Sequence, residues 1–300
     1  MRKCMLSVIV AIALCVLPAM AEERLSVVCT DFPCYDFARQ AAGEYADVTM
    51  LIKPGMEVHA YDPSPVDILN LSDADVFIYI GGESDAWADG ILDSFGSDGP
   101  AVLRLMDCVD GLIEEEDADH DDEAPEYDEH IWTSPRNAAA MARAVGEALA
   151  EAEPSQAEAF REAAEAYAAQ IEAIDAQFEA IVENAARHTL VFADRFPFIY
   201  FVRQYGLEYA AAFPSCTADA EASPQTIMRL IDTVSAEEIP VIYTIEMSTQ
   251  NVARIVAEET GAEILTMHSA QTVTQSEFET GETYVSLMEK NVEALRRGLE

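Results

Sequence analysis

The sequence predicts an α/β protein of two similar lobes, each with an about four-stranded parallel sheet flanked by helices, joined by one long linker helix. Three observations carry this. Short, continuous, β-branched apolar runs alternate with helical patterns, once before residue 110 and again after residue 188. A single helical stripe over residues 155–187 separates the two series. The chain is 300 residues long and 50% hydrophobic, enough for two cores.

The elements follow in order. Residues 1–21 read as a signal peptide: Arg2 and Lys3 form a basic start, an apolar run extends from Met5 to Leu17, and Ala19-Met20-Ala21 is a small-x-small cleavage site. That run is too short to span a bilayer, which takes about 20 residues, so export across the cytoplasmic membrane is expected. A lipid anchor on Cys15 is disfavoured by Val16 and by the cleavage signal downstream. Strands are expected over 25–29, 48–52, 76–80 and 101–105, with helices over 36–46, 65–71 and 84–95 between them. Strand-helix-strand alternation implies parallel pairing through right-handed crossovers. The N-terminal lobe is bounded as 22–152, the linker as 153–187 and the C-terminal lobe as 188–300. The linker pattern places Phe160, Tyr167, Ile171, Ile174, Phe178, Ile181 and Val182 on one face and, at 1.5 Å per residue, would span roughly 50 Å. In the second lobe strands are expected over 189–193, 207–213, 240–245 and 263–267, and helices over 198–205, 223–233 and 249–260, the last closed by Gly261.

Seventeen basic against 56 acidic residues give a formal charge of −39. Such a field repels nucleic acid and anionic lipid and concentrates cations. Residues 114–129 are its densest run, around His120, and read as a solvated acidic loop with a metal-collecting role as the sharper alternative. Cleavage of the signal leaves Cys29, Cys34, Cys108 and Cys216; three pairings are open, and Cys29 and Cys34 lie close enough in the chain for a local bridge.

The chemistry centres on the loop after the second strand. Pro54, Pro63 and Pro65 restrict its backbone around His59, and Ser64-Pro65 with Asp67 opens a helix. A strand end, a stiff loop and a helix start make a preorganised ligand position, beyond the carboxyl ends of strands where such sheets bind ligands. His130 sits in a second constrained loop, before the Ser134-Pro135 helix start.

The segments PGMEVHAYDPSPVDI and LSDADVFIYIGG, followed by DEHIWTSPRNA, resemble the substrate-binding proteins of bacterial zinc and manganese ATP-driven importers. The resemblance implies that His59 and His130 are metal ligands and that the long helix ties the lobes together. Where the family carries a third histidine before a YGL turn, this chain has Asp194-Arg195-Phe196, and Asp194 is taken as the ligand, with helix capping or pairing to Arg195 as its structural alternative. Where the family ends a strand in an aspartate, ILTMHSAQTV offers His268, with Glu246 in reserve. His59, His130, His268 and Asp194 make a set suited to tetrahedral Zn²⁺, with Mn²⁺ or Fe²⁺ open. The expected partners are a divalent ion and a membrane permease, and the chain is expected to be a monomer without enzymatic activity. A zinc hydrolase using Glu246 as base is the alternative from another class; HExxH is missing.

Overall fold

The structure, a computed structural model, describes residues 24–114, 126–213 and 222–300. The expected signal segment, most of the expected acidic loop and Cys216 lie outside the described residues. In the first sheet β1 (Leu25–Cys29) lies between β2 (Ala46–Met50) and β3 (Val76–Tyr79), with β4 (Ala101–Arg104) beyond, all parallel, in the order β2-β1-β3-β4. The second repeats it with β5 (Thr189–Phe192), β6 (Glu208–Ala211), β7 (Val241–Thr244) and β8 (Glu263–Thr266) in the order β6-β5-β7-β8. Strands β3 and β7 are buried at every residue, which is why they read as unbroken apolar runs.

Helix α1 (Phe32–Ala42) starts earlier than the sequence pattern suggests, because Asp31 accepts from the Cys34 N–H and Pro33 suits the first turn; Gly43, at φ +56°, ends it before β2. Helix α2 (Pro65–Ser72) opens on a reciprocal capping box between Ser64 and Asp67. Helices α3 (Ala86–Phe95) and α4 (Pro135–Ala152) complete the N-terminal lobe. The linker α5 (Ala157–Glu183) has 27 residues, about 40 Å at 1.5 Å each, shorter than expected because 154–156 form a separate 3-10 turn at Pro154 and the helix ends at Glu183, capped by Asn184. Helices α6 (Ile199–Tyr205), α7 (Pro224–Ala236) and α8 (Asn251–Thr260) follow, then α9 (Gln275–Thr280) and α10 (Tyr284–Leu299), two that the sequence analysis did not foresee.

The stripe on α5 is buried from Phe160 to Ile181. Phe160 meets Tyr45 of the first lobe edge-on, and Phe178 meets Phe201 of the second in the same way. One apolar cluster therefore runs from Val27 and Ile78 through α5 to Phe192 and Tyr243. Asp36, fully buried, fastens the joint: its carboxylate accepts from Arg39 Nε (2.8 Å), Tyr167 Oη (2.5 Å) and Tyr284 N (2.8 Å), linking α1, α5 and α10. A buried charge is tolerated when it is paired and hydrogen-bonded in this way.

Cys29 and Cys34 are buried free thiols, so the local bridge considered from their spacing is not formed; Cys108 is also free. Thr30 Oγ1 donates to Cys34 Sγ, and burial holds both thiols well above the usual range. Among the described residues no helix is long and apolar enough to cross a membrane.

Candidate metal centre

His59 and His130 come together at the boundary between the lobes, their ring centroids 5.8 Å apart. Each ring is held by its Nδ1 edge. His59 Nδ1 lies 2.8 Å from Ser84 Oγ and 3.3 Å from Glu129 Oε1. Ser84 gives its hydroxyl proton to Glu129 (2.5 Å), so it accepts from His59 Nδ1–H, and Nε2 keeps the lone pair. His130 Nδ1 lies 3.1 Å from Asp128 Oδ1, which also accepts from the His130 backbone N–H at 2.9 Å. Carboxylates that orient imidazoles in this way fix the tautomer and make the other nitrogen a better ligand.

The surrounding loops are built for this approach. Gly82, at φ +86°, leaves room for Glu129: a Cβ there would stand 2.8 Å from the glutamate's own Cβ. Trp132 packs against His130 and donates from Nε1 to Ser269 O (2.8 Å), which pins the loop after β8 over the pair. From that loop Gln271 places its side-chain amide 3.3 Å from His59 Nε2. The ligand atoms of His59, Glu129 and His130 all lie within 4.8 Å of one another.

Electrostatics favour a cation here. Burial lowers the pKa of His59, with Glu129 pulling it up and His130 pushing it further down. Beneath the pair, burial pushes Asp31 up to about 7, against the hydrogen bonds from Cys34 and with the charge of Glu129 adding to the rise. Asp85 is raised well above the carboxylate range by burial and by Asp31. Carboxyl groups crowded this closely around two imidazoles repel one another when ionised, which a divalent ion relieves.

The other residues singled out from the sequence fall outside the group of His59, Glu129 and His130. His268 is buried, but its Nδ1 accepts from the Ala270 N–H at 2.9 Å, so its Nε2 bears the proton and points to Glu277 at 3.9 Å. Glu246 has both oxygens engaged by the backbone and hydroxyl of Ser269. Asp194 accepts from the Arg195 N–H at 2.9 Å and lines a separate cavity, while Arg195 crosses to Glu57 at 3.1 Å. That partner holds Glu57 below the usual range against the opposing effect of burial. Sequence reasoning missed Asp128, Glu129, Ser84 and Gln271. The first two carried a signal, being acidic and next to His130, although Glu129 was assigned to the solvated loop and is 5% exposed. Nothing in the sequence marked Ser84 or Gln271.

Two matching α/β lobes, a bracing helix and paired imidazoles where the lobes meet define a clefted metal-binding protein. Residues 27–298 match the family of the periplasmic zinc-uptake complex component A, ZnuA, and the chain belongs to it. The zinc-binding lipoprotein AdcA of Streptococcus pneumoniae is 30% identical over 285 residues, covering 92% of this chain and 56% of that protein, so the chain spans about half that relative's length. The high-affinity zinc uptake system protein ZnuA of Bacillus subtilis is 27% identical, covering 92% of this chain and 88% of that one. The solved Zn(II)-bound ZnuA-like domain of the S. pneumoniae AdcA superposes with a TM-score of 0.78 at 27% identity, over 92% of this chain and 99% of the domain.

Proposed function

We propose that this protein captures a divalent transition metal, zinc foremost, between its lobes and delivers it to a membrane permease without transforming it. The observation that carries the reading is that Asp128 and Glu129 hold the Nδ1 edges of His130 and His59, leaving Nε2 of each ring as the lone-pair nitrogen. Two imidazoles and a nearby carboxylate suit Zn²⁺, while Mn²⁺ prefers more oxygen ligands. The family and the names of its zinc-binding relatives support the same cargo. His59 and His130 bind the ion, Glu129 orients and neutralises, and the C-terminal lobe completes the shell, with Gln271 nearest and His268 and Asp194 the residues that the sequence argues for.

The leader-like start supports a location outside the cytoplasmic membrane, at the surface or in the periplasm, and the protein is taken to act as a monomer. The test is elemental analysis with thermal stability measured against divalent ions. At hundredfold excess over Kd, an ion bound only by the native state adds about 2.7 kcal/mol. His59→Ala and His130→Ala abolish that gain; a full gain in both variants overturns the site. His268→Ala and Asp194→Ala then decide what the second lobe contributes.

A further inference from the structure

The loop after β8, residues 268–271, is buried throughout, and side chains rather than a strand or helix take up its backbone. Asn291, on α10 and 1% exposed, grips both sides of His268: the His268 N–H donates to Oδ1 and Nδ2 donates to the His268 carbonyl, each at 2.7 Å. Glu246, two residues beyond β7, takes the Ser269 N–H on one oxygen at 2.7 Å and the Ser269 hydroxyl on the other. From the first lobe, Trp132 donates to the Ser269 carbonyl at 2.8 Å. The Ala270 N–H goes to His268 Nδ1 and the Gln271 N–H to Ser269 Oγ, at 2.9 and 3.1 Å.

The backbone would not keep this shape unaided. Ala270 lies at φ 61°, a left-handed conformation that a residue with a Cβ rarely adopts and that persists where its neighbours over-determine it. What the loop carries is Gln271, whose side-chain amide stands 3.3 Å from His59 Nε2, the nitrogen assigned above to the ion. Neither Asn291 nor Glu246 belongs to the group of His59, Glu129 and His130. Buried polar side chains that direct their hydrogen bonds at one loop act by fixing it, as outer-shell partners fix a ligand.

We propose that Asn291 and Glu246 are positioning residues: they hold Gln271 at the metal centre and set zinc affinity through it, touching no ion themselves. The inference rests on the histidine pair being a zinc site. Asn291 isolates the effect better, because replacing it adds or removes no charge, whereas loss of the Glu246 carboxylate also changes the field around the ion.

A double-mutant cycle on the full chain tests it, with zinc affinity measured by competition with a chromophoric chelator and thermal stability of the metal-free protein measured alongside. Gln271→Ala is expected to weaken zinc about tenfold, and Asn291→Ala by about the same factor. Made in the Gln271→Ala background, Asn291→Ala lowers thermal stability as before and leaves zinc affinity unaltered, because the side chain it positions is gone. Should Asn291→Ala fail to fold, Asn291→Ser takes its place in the cycle. Glu246→Gln, which keeps an oxygen for the Ser269 N–H, weakens zinc less than Glu246→Ala; equal losses would assign the Glu246 effect to charge and overturn its part. Zinc affinity unchanged by Gln271→Ala or by Asn291→Ala, or an effect of Asn291→Ala undiminished in the Gln271→Ala background, overturns the proposal. So does an effect that disappears in the His268→Ala background instead, which would make that histidine the residue the loop presents. Failure of the unsubstituted protein to bind zinc overturns the zinc reading and this inference with it, whereas the other outcomes leave that reading standing.

Discussion

The two lobes share a sheet order and put it to different uses. Each central strand is followed, two residues beyond its end, by an aspartate: Asp31 after β1 and Asp194 after β5. In the first lobe Asp31 caps α1, lies beneath the histidine pair and is 3% exposed. In the second Asp194 is partly exposed on the wall of a largely hydrocarbon cavity. Topology supplies a crevice at the same point in both lobes, and the side chains on the following loops decide what it can hold.

The largest effect expected concerns whether the lobes are separable at all. Asp36→Ala strips the joint of its acceptor and leaves Arg39 and Tyr167 without their partner, which should cost about 3–5 kcal/mol. Denaturant melts of the metal-free protein should fall as a single transition; two separate transitions would break the picture of lobes sharing one core. Next come His59→Ala and His130→Ala, expected to weaken zinc more than about 100-fold, beyond what loss of an orienting carboxylate costs. His268→Ala should cost less, since its Nδ1 accepts the Ala270 N–H and its Nε2 then carries a proton that an ion would have to displace. Equal losses at all three positions would show that the second lobe rearranges to bring His268 to the ion.

A smaller effect belongs to the orienting carboxylate. Glu129→Gln should weaken zinc about 10–100-fold by releasing the Nδ1 edge of His59, with stability of the metal-free form little changed. The smallest is the pH response of the metal-free protein. Burial depresses His59 in the fold, so its contribution to stability is complete above about 6.5 and is lost as pH falls through the folded value. Asp31, raised to about 7, acts with the opposite sign: its contribution is complete below the ordinary carboxylate value and is lost as pH rises through about 7. Asp31→Asn should flatten the alkaline limb of a stability–pH curve and leave the acid limb; an unchanged alkaline limb would remove this account.

Much of the fold could be read from the chain. The continuous runs at β3 and β7 and the stripe on α5 report local burial, which leaves a pattern in residues close together in sequence. The shifted start of α1 was less visible, because the Asp31 cap competes with a helical pattern that alone suggests a later beginning. Helices α9 and α10 follow the segment around His268, in residues for which no element was expected from the sequence.

What the amino-acid order determined by itself was two repeated lobes, a bracing helix, and histidines 59 and 130 in stiff loops before helix starts. Tertiary structure alone decided which edge of each ring is held by its oxygen partners. Ser84 is 25 residues from His59 and Gln271 is 212 away, and their hydrogen bonds to it are set by sheet packing rather than by spacing. The same packing turned His268 toward Glu277 and gave Asp194 to another cavity, because a side chain's direction depends on neighbours that its local sequence does not name.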